Sequence, residues 1–277
     1  MRIKENTMKY GFIGMGNMGS AILYGMLKTG NFSSDDIIGF DVDRNRAQSI
    51  AEETGIRICS SCSETASESD VIILAVKPQQ LPAVLKEISE LQGLEKKLFL
   101  SIAAGFPITR IIYLLLEPSA SVIRAMPNLN ASVGEAITAL CQDSPATKEQ
   151  MEIARSVFSS VGEVVLLPEK HLGVFSAVAG ASPAFTFMYM DALAMAGVQA
   201  GLPRSLAEKI AIQAVKGSSV NASLSEEHLD ALRDRVCSPA GTTIEGVTVL
   251  EENGFKGSVM RAVRSVIEKD EKLSEQA

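Results

Sequence analysis

Lys9-Tyr10-Gly11-Phe12-Ile13-Gly14-Met15-Gly16-Asn17-Met18-Gly19-Ser20-Ala21-Ile22 joins a short apolar strand to a helix through a G-x-G-x-x-G loop. Each glycine meets a separate physical need. Gly14 permits a tight turn, Gly16 lets the backbone approach a pyrophosphate, and Gly19 lets the helix pack closely on the strand. Amides at the helix N-terminus, with the helix dipole behind them, favour an anion. The strand before the loop and the helix after it, running to about Gly30, are the context the motif requires. The segment therefore predicts a dinucleotide-binding fold.

Working outward, strands and helices alternate through the first half of the chain. Asp36–Phe40 reads as a strand ending at Asp41, followed by a helix over 44–54 and a short strand over 56–59. Asp70-Val71-Ile72-Ile73-Leu74-Ala75-Val76 is an apolar run suited to a parallel strand buried on both faces. Further strands are expected at 97–102, 121–124, 135–140 and 163–167, with helices at 79–91, 107–116 and 147–160. This alternation predicts a doubly wound, Rossmann-type parallel sheet with helices on both faces.

Past Pro168 the strand signal stops. The chain divides into a dinucleotide-binding domain at 8–168 and an all-helical domain at 169–277. Met1–Thr7 is polar, with no apolar signal region, and is expected to be a disordered lead-in, with Met8 as an alternative start. Helices are expected at 183–200, 205–222, 226–235, 243–253 and 257–270. In the first of these, Phe185, Phe187, Met188, Met190, Leu193, Met195 and Val198 leave almost no polar face. Asp191 in its middle argues against a membrane span. A helix apolar all round is a buried one, and about 105 residues cannot cover it alone, so a second subunit is the expected cover.

Composition bounds the function. The 277 residues are 46% hydrophobic and 21% charged, with a formal net charge of −7. That balance speaks for a globular protein and against a nucleic-acid or membrane-surface footprint. Cys59, Cys62, Cys141 and Cys237 are too few for a disulfide scaffold, and Cys59-Ser60-Ser61-Cys62 has no second ligand pair to complete a metal site. No metal is expected, and the reducing cytoplasm is the expected compartment.

Two segments bear on the chemistry. His171 and His228 are the only histidines, and His228 lies in a polar helix start. Carbonyl reduction needs a tuned acid for the developing alkoxide. A protonated imine accepts hydride directly, so the scarcity of acids leans toward a C=N substrate. In Val236-Cys237-Ser238-Pro239-Ala240-Gly241-Thr242-Thr243-Ile244, small hydroxylated residues lead into a helix whose amides and hydroxyls could hold a carboxylate. A hydroxyl-capped helix without a ligand is the alternative. Asp41 lies 22 residues after Gly19, where a carboxylate can accept from a ribose 2′-hydroxyl and would repel a 2′-phosphate. NADH is therefore the expected preference over NADPH, with Arg44 the residue that could compensate the charge.

Together these segments make the chain resemble the pyrroline-5-carboxylate reductases. The resemblance spans about 8–270. It rests on Phe12-Ile13-Gly14-x-Gly16-x-Met18-Gly19, Ala75-Val76-Lys77-Pro78, Ser101-Ile102-Ala103-Ala104-Gly105, Arg124-Ala125-Met126-Pro127-Asn128, Gly180-Ala181-Ser182-Pro183-Ala184-Phe185 and Ser238-Pro239-x-Gly241-Thr242-Thr243. It implies hydride transfer from NAD(P)H to the C=N carbon of L-1-pyrroline-5-carboxylate, the last step of proline synthesis. It further implies that Gly14, Met15, Gly16, Asn17, Met18 and Gly19 hold the pyrophosphate. Ala75, Val76, Lys77, Pro78, Ala103 and Ala104 would line the cofactor, with Met126 and Asn128 near the nicotinamide. Ser238, Gly241, Thr242 and Thr243 would bind the substrate carboxylate, Thr243 would contact the ring nitrogen as the catalytic group, and Glu226 would face the site. The implied helical domain is of the 6-phosphogluconate dehydrogenase C-terminal type and interlocks with a partner's; some members stack dimers into decamers.

The chain departs from many relatives at Ala181 and Phe185, where hydroxyls are common, and at Ala240, where glycine is common. Two other readings share the architecture: a β-hydroxyacid dehydrogenase and a non-catalytic regulatory paralogue. The first typically carries a lysine on the long helix, and 183–200 has none. The second is opposed by the presence of Thr243 and of the Ser238-Pro239 turn.

Overall fold

The computed structural model describes residues 8–276; the lead-in expected at 1–7 lies outside the described residues. The chain opens with β1 (Tyr10–Ile13), α1 (Asn17–Lys28), β2 (Ile37–Phe40), α2 (Arg44–Thr54), β3 (Arg57–Ile58), α3 (Cys62–Ser67) and β4 (Val71–Leu74). It continues through α4 (Leu81–Ile88), β5 (Leu98–Ser101), α5 (Ile108–Leu115), β6 (Ser121–Met126), β7 (Ala136–Cys141), α6 (Lys148–Ser159) and β8 (Gly162–Leu167). A short helix, α7 (Leu172–Phe175), runs into a π turn over Ser176–Gly180.

The strands form one eight-stranded sheet in the order β3-β2-β1-β4-β5-β6-β7-β8. Apolar side chains on its two faces pack under separate helical layers, with Ile72, Phe99 and Val122 on one side and Phe12, Ile73 and Leu100 on the other. Strand order reverses at β1, whose neighbours are β2 and β4, and this is where such sheets open a crevice beyond the strands' carboxyl ends. The sheet is not wholly parallel: β6 and β7 pair antiparallel. Between them lies only a short segment with one 3-10 turn, Leu129–Val133, too little chain for the crossover that a parallel pair needs. A short helix, α3, also stands where none is expected from the sequence, held at its start by Ser61, whose Oγ accepts the Glu64 amide at 3.0 Å.

The chain packs as two compact units. The first takes in the sheet, continues to Gly180 and includes the chain from Ile267 on. The packing boundary thus falls later than the 168/169 division of the sequence reading, because Leu172 and Ala177 are buried with the first unit. In the same unit the buried Arg124 Nη1 meets Glu169 Oε1 at 2.8 Å, and that oxygen also accepts the Ile108 amide at 2.9 Å.

The second unit, Ala181–Val266, is helical. It holds α8 (Ser182–Gln199), α9 (Arg204–Ser223), α10 (Leu229–Val236), α11 (Thr242–Glu252) and the first part of α12 (Phe255–Gln276). Small residues let α8 and α9 pack closely: Ala194, Ala207 and Ala211 are buried together, and a Cβ on Gly197 would stand 3.2 Å from that of Ala207. The mid-helix carboxylate of Asp191 is paired with Arg204 Nη2 at 2.5 Å. Helix α10 starts at Leu229, later than expected, because His228 caps it, its Nδ1 accepting the Asp230 amide at 3.3 Å. Much of the apolar surface of α8 is uncovered; Phe187 is 56% and Met188 72% exposed. By length and composition one helical run among the described residues, Glu169–Gln199, is apolar enough to cross a membrane.

Candidate active site

The three glycines of the first loop differ in what surrounds them. Gly14 has φ +92°, and a Cβ there would lie 2.7 Å from the Ala75 carbonyl oxygen. A Cβ on Gly19 would lie 2.4 Å from the Gly14 carbonyl oxygen, so α1 can approach the strand end only without a side chain. Gly16 is different. The nearest atom to its would-be Cβ is the Arg46 guanidinium at 4.0 Å. Nothing in the chain demands glycine there, and no side chain caps α1. The first-turn amides of the helix have no intrahelical acceptor, so bare backbone and free N–H groups face open space. That is the fit a pyrophosphate requires.

Asp41 fixes this loop. The carboxylate is buried at the end of β2, where Oδ2 accepts the Met15 amide at 2.7 Å and Oδ1 accepts the Asp43 amide at 2.8 Å. Met15 thereby serves through its backbone, since its side chain is buried in the core against Gly39. Gly14, Gly16, Asp41, Ala75, Val76 and Lys77 line one cleft of about 700 Å³. The sequence reading missed Arg46, which lines the same cleft and lies 3.7 Å from Asp41 and 3.3 Å from Asp43. Arg44, the residue expected to compensate charge here, is engaged elsewhere. It donates to the carbonyls of Cys59 at 3.0 Å and Ser60 at 2.6 Å and stacks on Phe40. The signal that could have found Arg46 is the helix start Asp43-Arg44-Asn45-Arg46, because a side chain at i+3 returns over the cap residue.

Pro78 sits in the turn between β4 and α4, and Ala103 and Ala104 follow β5. Met126 ends β6, with Asn128 just beyond. Asn128 is buried, and its Nδ2 donates to the Ala179 carbonyl in the π turn at 3.0 Å. Its Oδ1 is sealed from solvent with no hydrogen-bond partner. A flip of the amide would set two oxygens against each other, so the carbonyl of Ala179 fixes which end is the acceptor. A lone buried acceptor beside the strand ends also fits a ligand that carries N–H donors. Asn17 and Met18 face a second cavity of about 880 Å³, walled by α1 and the Leu129–Val133 turn.

In the second unit the Ser238–Thr243 segment forms a turn closed by the Gly241 amide on the Ser238 carbonyl at 3.0 Å. A Cβ on Gly241 would lie 2.2 Å from Ser238 Oγ, so the hydroxyl folds over that residue. Helix α11 begins at Thr242 with no side-chain cap. Its first-turn amides and the exposed hydroxyls of Thr242 and Thr243 are available to a carboxylate. Ala240 holds φ +55°, a left-handed conformation that costs an L-residue about 1–2 kcal/mol. Glu226 lies exposed in the connector before α10 rather than on a helix.

Cys59 and Cys62 are both free and buried, and burial, helped by the Glu87 charge, pushes the Cys62 thiol up to about 12. No cluster of metal-ligating side chains occurs among the described residues.

A mostly parallel sheet with an anion cradle at its reversal point and a carboxylate-anchored cleft beside it defines an NAD(P)-dependent oxidoreductase. Residues 9–105 match the family model described as NADP oxidoreductase, coenzyme F420-dependent, and residues 169–273 that described as pyrroline-5-carboxylate reductase dimerisation. The chain is 39% identical over 267 residues to the pyrroline-5-carboxylate reductase of Escherichia coli (strain K12), covering 96% of this chain and 98% of that protein. It superposes on a pyrroline-5-carboxylate reductase from Coxiella burnetii with a TM-score of 0.90 at 30% identity, covering 97% and 99% of the two chains. With the Plasmodium falciparum pyrroline carboxylate reductase solved with NADP bound, the TM-score is 0.86 at 29% identity, covering 97% and 98%. The chain belongs to the pyrroline-5-carboxylate reductase family. The dimerisation match supports homo-oligomerisation.

The glycine contacts separate folding from binding. Gly16→Ala should leave thermal stability within about 0.5 kcal/mol while weakening NADH binding about tenfold or more, because the methyl occupies ligand space only. Gly14→Ala should itself destabilise the fold by about 2 kcal/mol, from positive φ and the backbone clash. Denaturation midpoints and NADH fluorescence titrations of both variants check this.

Proposed function

We propose that this chain reduces L-1-pyrroline-5-carboxylate to L-proline. The observation that carries the reading is the uncapped start of α11 behind the Ser238–Thr243 turn, which can bind a small carboxylate, in a chain of this family. Ser238, Gly241, Thr242 and Thr243 hold the carboxylate through amides and hydroxyls. The Thr243 hydroxyl contacts the ring nitrogen and keeps the protonated C=N bond oriented. The bound nicotinamide supplies the hydride. The chain need supply no tuned acid, since the substrate nitrogen already carries its proton. Glu226 adds negative charge near that cation.

Gly14 to Gly19 take the pyrophosphate, Ala75 to Pro78 with Ala103 and Ala104 the strand-end wall, and Met126 and Asn128 the nicotinamide side. NADH is the preferred cofactor. Asp41, Asp43 and Glu87 outnumber Arg46 and Lys77 in the cleft, an unfavourable setting for a 2′-phosphate. The helical domain forms a homodimer that covers the apolar surface of α8, and dimers stacked into a decamer are a further extension. The enzyme works in the cytoplasm, without metal, membrane or nucleic acid.

Purified protein should oxidise NADH when pyrroline-5-carboxylate is added, with a larger kcat/KM for NADH than for NADPH. Thr243→Ala should lower kcat/KM about 10–100-fold without changing NADH affinity. No turnover by folded wild type with either cofactor would reject the activity; a larger kcat/KM for NADPH would reject only the preference. Sedimentation velocity should give a dimer or a multiple of it, and replacing both Phe187 and Met188 with Asp should shift the protein toward monomer.

A further inference from the structure

The 700 Å³ cleft that holds Gly14, Gly16 and Asp41 is also lined by the apolar Phe40, Val42, Ala83 and Val84 and by the carboxylate of Glu87 on α4. A cleft that joins apolar side chains to a few polar groups suits a heterocyclic base. With the pyrophosphate at Gly16 and a ribose beside Asp41, the base of a dinucleotide falls in this cleft.

Glu87 is held in place from the neighbouring α3. Its Oε1 accepts the Ser63 amide at 2.9 Å and the Ser63 hydroxyl at 3.1 Å. A carboxylate offers about four acceptor sites. Both Ser63 donors reach Oε1, which leaves Oε2 open on a group already held in place. An ionised carboxylate accepts and never donates. It therefore distinguishes bases by their edge: the exocyclic amine of adenine presents N–H donors, whereas hypoxanthine presents an oxygen at the same place and is repelled.

We infer that Glu87 is a base-reading residue, selecting an adenine over a 6-oxopurine dinucleotide through a hydrogen bond from the exocyclic amine. The inference rests on the dinucleotide reading above. It adds a specificity determinant at the end of the cofactor remote from the nicotinamide.

The test is equilibrium binding, independent of turnover. Dissociation constants for NADH and for reduced nicotinamide hypoxanthine dinucleotide are measured by fluorescence on wild type, Glu87→Gln and Glu87→Ala. Wild type should bind NADH about tenfold more tightly than the hypoxanthine analogue. Glu87→Ala should bind the two alike. Glu87→Gln, whose amide can donate to the 6-oxo group, should lose or invert the preference. Equal affinities in wild type, or an unchanged preference in whichever variant folds, would overturn the role of Glu87. Failure of wild type to bind either dinucleotide would instead overturn the dinucleotide reading itself.

Discussion

The hydrogen bond from the Met15 amide to Asp41 Oδ2, 2.7 Å long and buried, ties the glycine loop to the end of β2. The glycine loop and the cleft beside it are built on that tie. It turns the Met15 peptide toward the sheet, sends its side chain into the core, and leaves Gly16 as the residue that faces open space. The other Asp41 oxygen fixes the Asp43 amide, and Asp43 Oδ1 in turn accepts the Arg46 amide at 3.1 Å, starting α2. One side chain thus ties together the glycine loop, the wall of the cleft and the start of the helix that delivers Arg46. A carboxylate charge-assisted in this way is a strong anchor.

Each of the two units presents a helix start that begins at a glycine and carries no side-chain cap. In the first unit the central strands of the sheet are buried, and the helix start of α1 is bare because glycine replaces a capping side chain. In the second, α11 is bare because Gly241 occupies its cap position, forced by the closeness of Ser238 Oγ. Both sites depend on a missing Cβ rather than on an added charge. The second unit also leaves much of the apolar surface of α8 exposed, a patch of the kind that marks an interaction site.

Much of this was legible in the sequence. Periodicity placed the strands because buried parallel strands are continuous apolar runs, and Val71–Leu74 is buried throughout. The antiparallel turn from β6 to β7 escaped because strand direction is set by the connection, whose 3-10 turn carries no periodic signal. The roles of Arg44 and Arg46 were not separable by proximity in sequence; stacking on Phe40 draws one away while the Asp43 cap holds the other. The π turn and the later packing boundary were invisible, since they arise from how Leu172 and Ala177 find the sheet rather than from local propensity. The Ser238–Thr243 motif pointed to its residues correctly as a turn before a helix, but the left-handed strain at Ala240 needed coordinates.

The central claim is that a hydride passes from a nicotinamide held by this chain to the carbon of a cyclic imine. Incubating the protein with pyrroline-5-carboxylate and NADH deuterated at the transferring C4 position, then locating the label by NMR, tests it most directly. Deuterium at the δ-carbon of L-proline, with one stereochemistry, is the predicted result. Unlabelled proline, or cofactor oxidation without proline, would contradict it.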